Sequence, residues 1–195
     1  MSPTPPTDAA EARARFARFI TGKTPERLFR CPTPHPSEPT GFCWCDGSPW
    51  RALRVYARGA LLHLVLLGPS NGLKVWLLRR LGARVGRNVY ISVGAWIDPL
   101  FPRLLEIEDN VFIGMGARIL THGFRVDEFR AGKVLLRRRA FIGGFSIIAC
   151  GVEIGEGAEV AGGAVVPLDV PPDTLAAGNP AMFLKRRRNG EAGHE

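Results

Sequence analysis

The chain is poor in cysteine and contains no long hydrophobic run. Its 195 residues include four cysteines, of which Cys31, Cys43 and Cys45 cluster, and without a recognisable secretory signal they do not indicate a disulfide framework. We recognise no secretory signal at the start, so reduced thiols and a cytoplasmic location are expected. The apolar run from Ala60 to Leu67 is far shorter than the about 20 residues of a transmembrane helix. No membrane-spanning segment is therefore predicted.

Histidine is scarce as well, which bears on metal binding. His122 is the one histidine in residues 85–172, whereas zinc sites are built from three or four protein ligands. A second candidate set has a Cys-x-Cys spacing that is uncommon in zinc sites. It consists of Cys31, His35, Cys43 and Cys45. We predict no metal site, and free thiols in a loop are the preferred interpretation.

Positive charge is distributed unevenly along the chain, whose formal net charge is +8. Residues 1–84 contain 13 Lys and Arg against 5 Asp and Glu, whereas residues 85–172 contain 9 against 10. No aromatic ladder is expected on the second of these segments. Binding of nucleic acid along it is therefore not predicted.

A period of six residues predicts the fold. An aliphatic residue occupies every sixth position from Leu136 to Val166, and residues 85–97 and 107–119 share this register. The position four residues later is small or β-branched, as at Ala140 and Ala158. Such a period fits neither an α-helix nor an alternating strand, and it is typical of a parallel β-helix. Twelve hexads at three per turn predict about four coils in a mainly β protein.

Glycines directly follow several of the inward positions, at Gly86, Gly114, Gly143 and Gly155. We expect the corner backbone there to adopt conformations that a Cβ would penalise. The alternative for this region, an ordinary β-rich domain, leaves the twelve matched hexads unexplained.

The chain divides into three segments. Residues 1–84 are predicted to be an N-terminal helical extension, residues 85–172 the β-helix and catalytic domain, and residues 173–195 a C-terminal segment with a basic tail. Within the extension, residues 1–8 are expected to be disordered. The rest of the extension is predicted to contain a helix over residues 9–20 and a proline-rich stretch without regular structure over residues 25–49.

Two further helices are predicted at the end of the extension. The first spans Trp50 to Leu67 and the second Leu73 to Leu81. One face of the first helix carries Leu53, Tyr56, Ala57, Ala60, Leu61 and Leu64. We expect both helices to cover the open first coil. Basic residues around them also suit peripheral contact with an anionic membrane surface, and they are Arg51, Arg54, Arg58, Lys74, Arg79 and Arg80.

His122 is the most chemically suggestive residue. It follows Thr121 at the point where a predicted irregular loop, Phe124 to Lys133, interrupts the repeat. Functional residues concentrate in such loops, and imidazole suits a base that works near neutral pH. We predict that His122 is catalytic. The alternative, a purely structural histidine, does not explain its place at the interruption.

Two stretches of the sequence carry a family resemblance. One runs from Ile107 to Gly114 and continues into Thr121-His122. The other combines VAGGAVV at residues 160–166, DVPP at 169–172 and AGNPA at 177–181, before a basic segment. Together they resemble the hexapeptide-repeat acyltransferases, within them the sugar O-acetyltransferases of the maltose and galactoside type. The resemblance covers residues 84–187.

This resemblance implies a left-handed β-helix with a short C-terminal helix, assembled as a homotrimer with active sites between subunits. Acetyl-CoA would be the donor, and His122 would be the base in a direct transfer. Cys150 is then expected to pack rather than react. The donor would lie along small residues and end at cations, and its binding residues would be Gly143, Gly144, Ala161, Gly162, Ala177, Gly178, Lys185 and Arg186. The cations continue through Arg188, and the alternative for this charge run is a solvated terminus.

The chain departs from the family pattern at two places. Pro167-Leu168 replaces a usual Thr-Lys pair, which removes polar groups near the donor phosphates. An asparagine common in sugar acetyltransferases is missing near residues 93–95, so Trp96 and Asp98 are candidates for shaping the acceptor pocket. Asp127 and Glu128 are further candidates near the acceptor, and one of them is expected to orient the ring of His122.

The predicted function is acetyl transfer from acetyl-CoA to a hydroxyl of a sugar or polysaccharide precursor. N-acetylation of an amino sugar or an antibiotic is an alternative within the same chemistry. A non-catalytic β-helix that serves as a trimerisation scaffold is another. The γ-class carbonic anhydrases share the coil but require three zinc-binding histidines, a number that residues 85–172 do not supply.

Overall fold

The computed structural model describes residues 9–32, 49–125 and 128–185. Three helices precede the β structure, and they are α1 (Ala9–Ile20), α2 (Pro49–Leu67) and α3 (Asn71–Arg80). All three were predicted, with boundaries shifted by one or two residues for α2 and α3. The segments 1–8, 33–48 and 186–195 lie outside the described residues, as do Val126 and Asp127.

The main body is the predicted left-handed parallel β-helix, in which four coils each add one short strand to three sheets. The first sheet contains β2 (Arg84–Val85), β5 (Leu105–Ile107), β10 (Val134–Leu136) and β13 (Glu153–Ile154). The second contains β3 (Tyr90–Ile91), β6 (Phe112–Ile113), β11 (Phe141–Ile142), β14 (Glu159–Val160), β16 (Thr174–Ala177) and β17 (Met182–Lys185). The third contains β4 (Trp96–Ile97), β7 (Arg118–Ile119), β12 (Ile147–Ile148) and β15 (Val165–Val166).

The six-residue period places one aliphatic side chain per hexad in the core, as predicted. Leu136, Ile142, Ile148 and Ile154 are completely buried. The small positions between them are buried too, and the hydroxyl of Ser146 donates to the carbonyl of Gly143 at 2.7 Å. Each parallel strand pair aligns equivalent hexad positions, so the core is a stack of similar layers.

The corners of the coils differ in one respect from the expectation. A left-handed backbone conformation occurs three residues after most inward positions, for example at Asn110, Arg139 and Gly157. The glycines that directly follow inward positions have no positive φ. They are needed because the next coil is too close, since a Cβ on Gly143 would lie 2.5 Å from the backbone nitrogen of Gly162.

Helices α2 and α3 cap the first coil, as predicted. Leu62 and Leu78 belong to the same hydrophobic cluster as the coil interior. The side-chain amide of Asn71 pairs with the edge backbone, accepting from the Ile91 N–H and donating to the Val89 carbonyl, both at 2.9 Å. Polar groups at an open sheet edge need such partners.

The apolar side chains that share one face of α2 in the sequence point away from the coils. Leu53, Tyr56, Leu61 and Leu64 are exposed, whereas the buried side chains of α2 include Leu62. The prediction that Lys74 is among the exposed cations is wrong. Lys74 is 1% exposed, donates to the Ile91 carbonyl at 3.0 Å, and has a pKa lowered by burial.

Two segments expected to be irregular form strands. The predicted loop after His122 is a hairpin of β8 (His122–Phe124) and β9 (Glu128–Gly132), and β1 (Leu28–Pro32) from the proline-rich stretch pairs antiparallel with β9. Pro32 does not prevent this, since it ends the edge strand β1. The expected C-terminal helix is not found over Met182–Lys185, which form β17 antiparallel to β16.

The statement that the coils carry no aromatic ladder is also wrong. Tyr90, Phe112 and Phe141 stack on successive coils, with ring centroids 5.1 Å apart in both pairs. The insertion of the hairpin between coils two and three hides this alignment in the sequence. The division into domains ending at residues 84 and 172 stays a prediction.

None of the helices in the described part of the chain combines the length and apolar character that crossing a membrane requires.

Candidate active site

His122 lies at the end of the second coil, where the chain leaves β7 and enters the hairpin. Its ring is about one-fifth exposed. The hairpin begins at this residue because β8 pairs with β9, aligning His122 with Ala131. The coil and the hairpin therefore fix the backbone of His122 from both sides.

Asp98 holds the imidazole ring. It follows β4 on the first coil, directly above Thr121 of the second coil, and it is completely buried. Its Oδ2 accepts hydrogen bonds from the Thr121 N–H at 3.0 Å and the Thr121 hydroxyl at 2.8 Å, and it contacts His122 Nδ1. Its Oδ1 accepts from the Leu100 N–H at 3.0 Å. Because a carboxylate only accepts hydrogen bonds, His122 Nδ1 is the donor, and Nε2 carries the lone pair.

The charge state of Asp98 follows from these contacts. Burial alone would raise the pKa of Asp98, but the hydrogen bonds from His122, Leu100 and Thr121 and the nearby imidazole lower it below its ordinary value. The ionised carboxylate is thus the favoured state in the fold. It stabilises a positive charge on His122 when the ring takes up a proton.

Aromatic side chains surround the ring of His122. Phe101 meets it edge-on at a centroid distance of 5.5 Å, and Phe124 does so at 6.0 Å. Phe129 lies at 6.3 Å. These contacts limit rotation of the imidazole and reduce access of water on those sides.

The N-terminal segment braces this aromatic group from outside. Phe16 of α1 contacts Phe101 at 5.2 Å and Phe129 at 5.6 Å, and Phe29 of β1 contacts Phe16 at 5.1 Å. Phe29 and Phe129 are completely buried. This second hydrophobic cluster connects residues 9–32 to the hairpin that begins at His122.

Ionic contacts tie β1 to the coils as well. Arg27 pairs with Glu153 at 3.0 Å and with Asp169, and Glu153 also binds Arg137 at 2.6 Å. The backbone N–H of Lys133 donates to the Arg27 carbonyl at 2.8 Å. Residues far apart in the sequence thus hold the two ends of the hairpin.

Asp98 rather than Glu128 contacts the imidazole, and the expectation for Asp127 stays a prediction. The carboxylate of Glu128 binds Arg130 and lies 4.0 Å from Arg30, while Asp127 lies outside the described residues. The sequence identified Asp98 as a candidate for the acceptor pocket, but it did not predict the contact of Asp98 with His122. Trp96, the other candidate, stacks on His63 of α2 at 5.4 Å.

His63 is a residue near the site that sequence reasoning did not select. Its Nε2 is buried without a hydrogen-bond partner among the described residues. Burial lowers the pKa of His63, and the charge of Asp98 raises it to a smaller extent. Its only signal in the sequence is that it interrupts the apolar run of α2.

Most predicted donor-binding residues lie before the strands of the third sheet, whereas His122 lies after them. Gly143 and Gly144 precede β12, and Ala161 and Gly162 precede β15. Ala177 ends β16, and the carbonyl of Gly178, the next residue, accepts from the Val165 N–H at 3.0 Å. His122 follows the end of β7. The two ends of these strands are separated by about five residues of extended chain, or roughly 15 Å.

The remaining candidates are placed as follows. Lys185 ends β17, and Arg186 and the cations after it lie outside the described residues. Cys150 follows β12, and burial raises the pKa of its thiol, which disfavours the nucleophilic thiolate. In residues 9–32, 49–125 and 128–185, no group of three His, Cys, Asp or Glu is placed to hold a metal ion. Because His35, Cys43 and Cys45 lie outside these ranges, the absence of a metal stays a prediction.

Comparison with known proteins supports this interpretation of the fold. No family model matches the chain. Over 151 residues the chain is 32% identical to a protein of Bacillus subtilis (strain 168) named "Putative acetyltransferase YvoF", covering 77% of this chain and 88% of that protein. A hexapeptide-repeat acetyltransferase from Vibrio cholerae, solved with acetyl coenzyme A, superimposes with a TM-score of 0.59 and 25% identity, over 71% of this chain and 90% of its own.

The chain belongs to the hexapeptide-repeat acetyltransferases. A maltose O-acetyltransferase from Clostridium difficile 630 shares the fold, with a TM-score of 0.54 and 21% identity over 69% of this chain and 89% of its own. Membership of this acetyltransferase family disfavours the alternative of a non-catalytic trimerisation scaffold.

Proposed function

We propose that the protein transfers the acetyl group of acetyl-CoA to a hydroxyl of a sugar or polysaccharide precursor, with His122 as the general base. The observation that carries this proposal is the contact between His122 Nδ1 and the buried carboxylate of Asp98. It fixes the tautomer in which Nε2 can accept a proton. A base held in this way suits deprotonation of a weakly acidic hydroxyl.

The reaction needs no covalent enzyme intermediate. Nε2 of His122 accepts the hydroxyl proton while the acceptor oxygen attacks the thioester carbonyl. The tetrahedral intermediate then expels the CoA thiolate, and the imidazolium returns its proton to that sulfur. Asp98 stabilises the imidazolium between the two steps, and backbone N–H groups would stabilise the oxyanion.

Acetyl-CoA is proposed as donor because the Vibrio cholerae relative was solved with it. The corners at Gly143, Gly144, Ala161 and Gly162 offer little side-chain bulk to a pantetheine arm. Within one chain these corners and His122 lie at opposite ends of the strands of the third sheet. This separation supports a homotrimer, in which the corners of one subunit would lie beside His122 of another. The exposed ladder of Tyr90, Phe112 and Phe141 is apolar surface that a subunit contact would cover.

We place this activity in the cytoplasm and propose peripheral contact with the inner face of the membrane. Acetyl-CoA is a cytoplasmic metabolite, and the exposed apolar face of α2 supports the membrane contact.

An acceptor screen with acetyl-CoA tests the proposed reaction. Sugars, oligosaccharides and amino sugars are supplied in turn, CoA thiol release is followed, and the product is identified by mass spectrometry. Transfer to a hydroxyl that is lost in His122→Ala supports the proposal. Transfer to amines alone would establish the N-acetyltransferase alternative, and no thiol release with any acceptor from a folded trimer would favour the scaffold.

A further inference from the structure

The exposed face of α2 and α3 is unusually apolar for a surface in contact with water. Trp50 is 72% exposed and Leu64 68% exposed. The exposed apolar side chains recur with helical spacing along α2, and α3 contributes more. They include Trp50, Leu53, Tyr56, Leu61 and Leu64 on α2, and Trp76 on α3. Contiguous apolar surface of this kind marks an interaction site.

The same surface carries charge of one sign. No Asp or Glu occurs in residues 47–97. Arg54, Arg58, Arg79 and Arg80 are exposed on the two helices. An apolar helix face bordered by arginine, with tryptophan present, is the composition of helices that lie in the interface of a bilayer with anionic lipids.

A second copy of the chain fits this surface less well. A symmetric contact would place the same apolar faces together and bring their arginines close, with no acidic residue on either α2 or α3 to compensate. Anionic headgroups supply the missing negative charge.

Helix α2 also links this surface to the catalytic pair. On its inner side, His63 stacks on Trp96, and a Cβ on Gly59 would lie 3.1 Å from the side chain of Pro99. Trp96 and Pro99 border Asp98, so the catalytic pair lies at the capped end of the coils. We propose that the exposed face of α2 and α3 is a docking surface for an anionic lipid bilayer, which holds the catalytic pair near the membrane.

This inference rests on the proposed peripheral contact, and its test requires no acetyl transfer. The full chain is floated with vesicles of phosphatidylglycerol and phosphatidylcholine, or of phosphatidylcholine alone, without acetyl-CoA or acceptor. We expect preferential binding to the anionic vesicles. The paired change Leu61→Glu and Leu64→Glu should weaken binding at least tenfold, and Arg54→Gln with Arg58→Gln should weaken it severalfold and reduce its dependence on salt.

Leu168→Glu is the matched control, because Leu168 is similarly exposed, at 66%, but lies in the coil segment after β15. It should bind vesicles as the unchanged protein does. Circular dichroism establishes that each variant is folded. Failure of the unchanged protein to float with anionic vesicles would overturn the proposal, as would normal flotation of the Leu61/Leu64 variant. Light scattering identifies the other occupant. If the unchanged protein does not bind vesicles and the Leu61/Leu64 variant has a lower mass, the surface is a contact with a second copy.

Discussion

Asp98 and His122 are 24 residues apart in the sequence and in direct contact in the structure. The contact forms because β4 and β7 are aligned in adjacent coils, pairing Trp96 with Arg118 and Ile97 with Ile119. The residues after each strand are thereby brought together. In the proposed reaction, Asp98 acts through His122 and is a positioning residue for it.

Replacing His122 by Ala should lower kcat by about a hundredfold to ten-thousandfold, because a positioned general base is lost. The KM for acetyl-CoA should change little, since His122 is not among the proposed donor-binding residues. Steady-state kinetics with a responsive acceptor measures both. Near-normal kcat in a folded His122→Ala variant would remove this residue from the mechanism.

Asp98→Asn should lower kcat by about a hundredfold or more, because an amide neither stabilises the imidazolium nor enforces the tautomer. Asp98→Glu, which retains the charge, should recover part of the loss. Steady-state kinetics of both variants is the decisive measurement, since kcat should fall while the KM for acetyl-CoA changes little. Equal kcat losses in Asp98→Asn and Asp98→Glu, both folded, would show that the carboxylate charge has no part in positioning His122.

The lowered pKa of Asp98 also predicts how stability depends on pH. Its ionised form is favoured in the folded state, so its contribution to the free energy of unfolding is present above the unfolded pKa of about 3.9 and is lost as the pH falls through the lower folded value. Denaturant unfolding from pH 6 to pH 3 should show a smaller decline for Asp98→Asn than for the unchanged protein. Equal declines would contradict this assignment.

The aromatic brace predicts that residues before the coils affect catalysis. Phe29→Ala should lower kcat through looser packing around His122, with little change in the KM for acetyl-CoA, and should cost about 3–5 kcal/mol of stability. Phe29→Leu should restore most of both. Phe145→Ala is the control, because Phe145 is exposed, and its effect on stability should stay within about 0.5 kcal/mol. Loss of stability in Phe29→Ala without any change in kcat would contradict a link between this packing and His122.

The donor phosphates are predicted to depend on the basic run from Lys185 to Arg188, since Pro167-Leu168 offers them no polar side chain. Neutralising the run should raise the KM for acetyl-CoA and leave kcat nearly unchanged, and added salt should diminish the effect. Acetyl-pantetheine, which lacks the phosphates, should show no such change. If both protein forms prefer the full donor equally, the run is not the phosphate site.

Sequence alone determined the coils, the number of their layers and the residue type at each inward position. These follow from a local period, because each hexad repeats the same strand and corner and needs one apolar side chain to fill the core. The helices could also be predicted from the local pattern of apolar residues, and Gly68-Pro69 marked the end of α2. His122 was found because it marks the interruption of an otherwise regular repeat.

The tertiary structure decided which residues meet at the site. Pairing of Leu28 with Gly132 and contact of Asp98 with His122 depend on the stacking of coils around an insertion, and no local pattern encodes them. The sequence also left open which side of α2 faces outward, because α2 carries apolar side chains on both sides. Packing selected Leu62 and Leu66 for the core, where the first coil offers a complementary surface, and left Leu61 and Leu64 exposed.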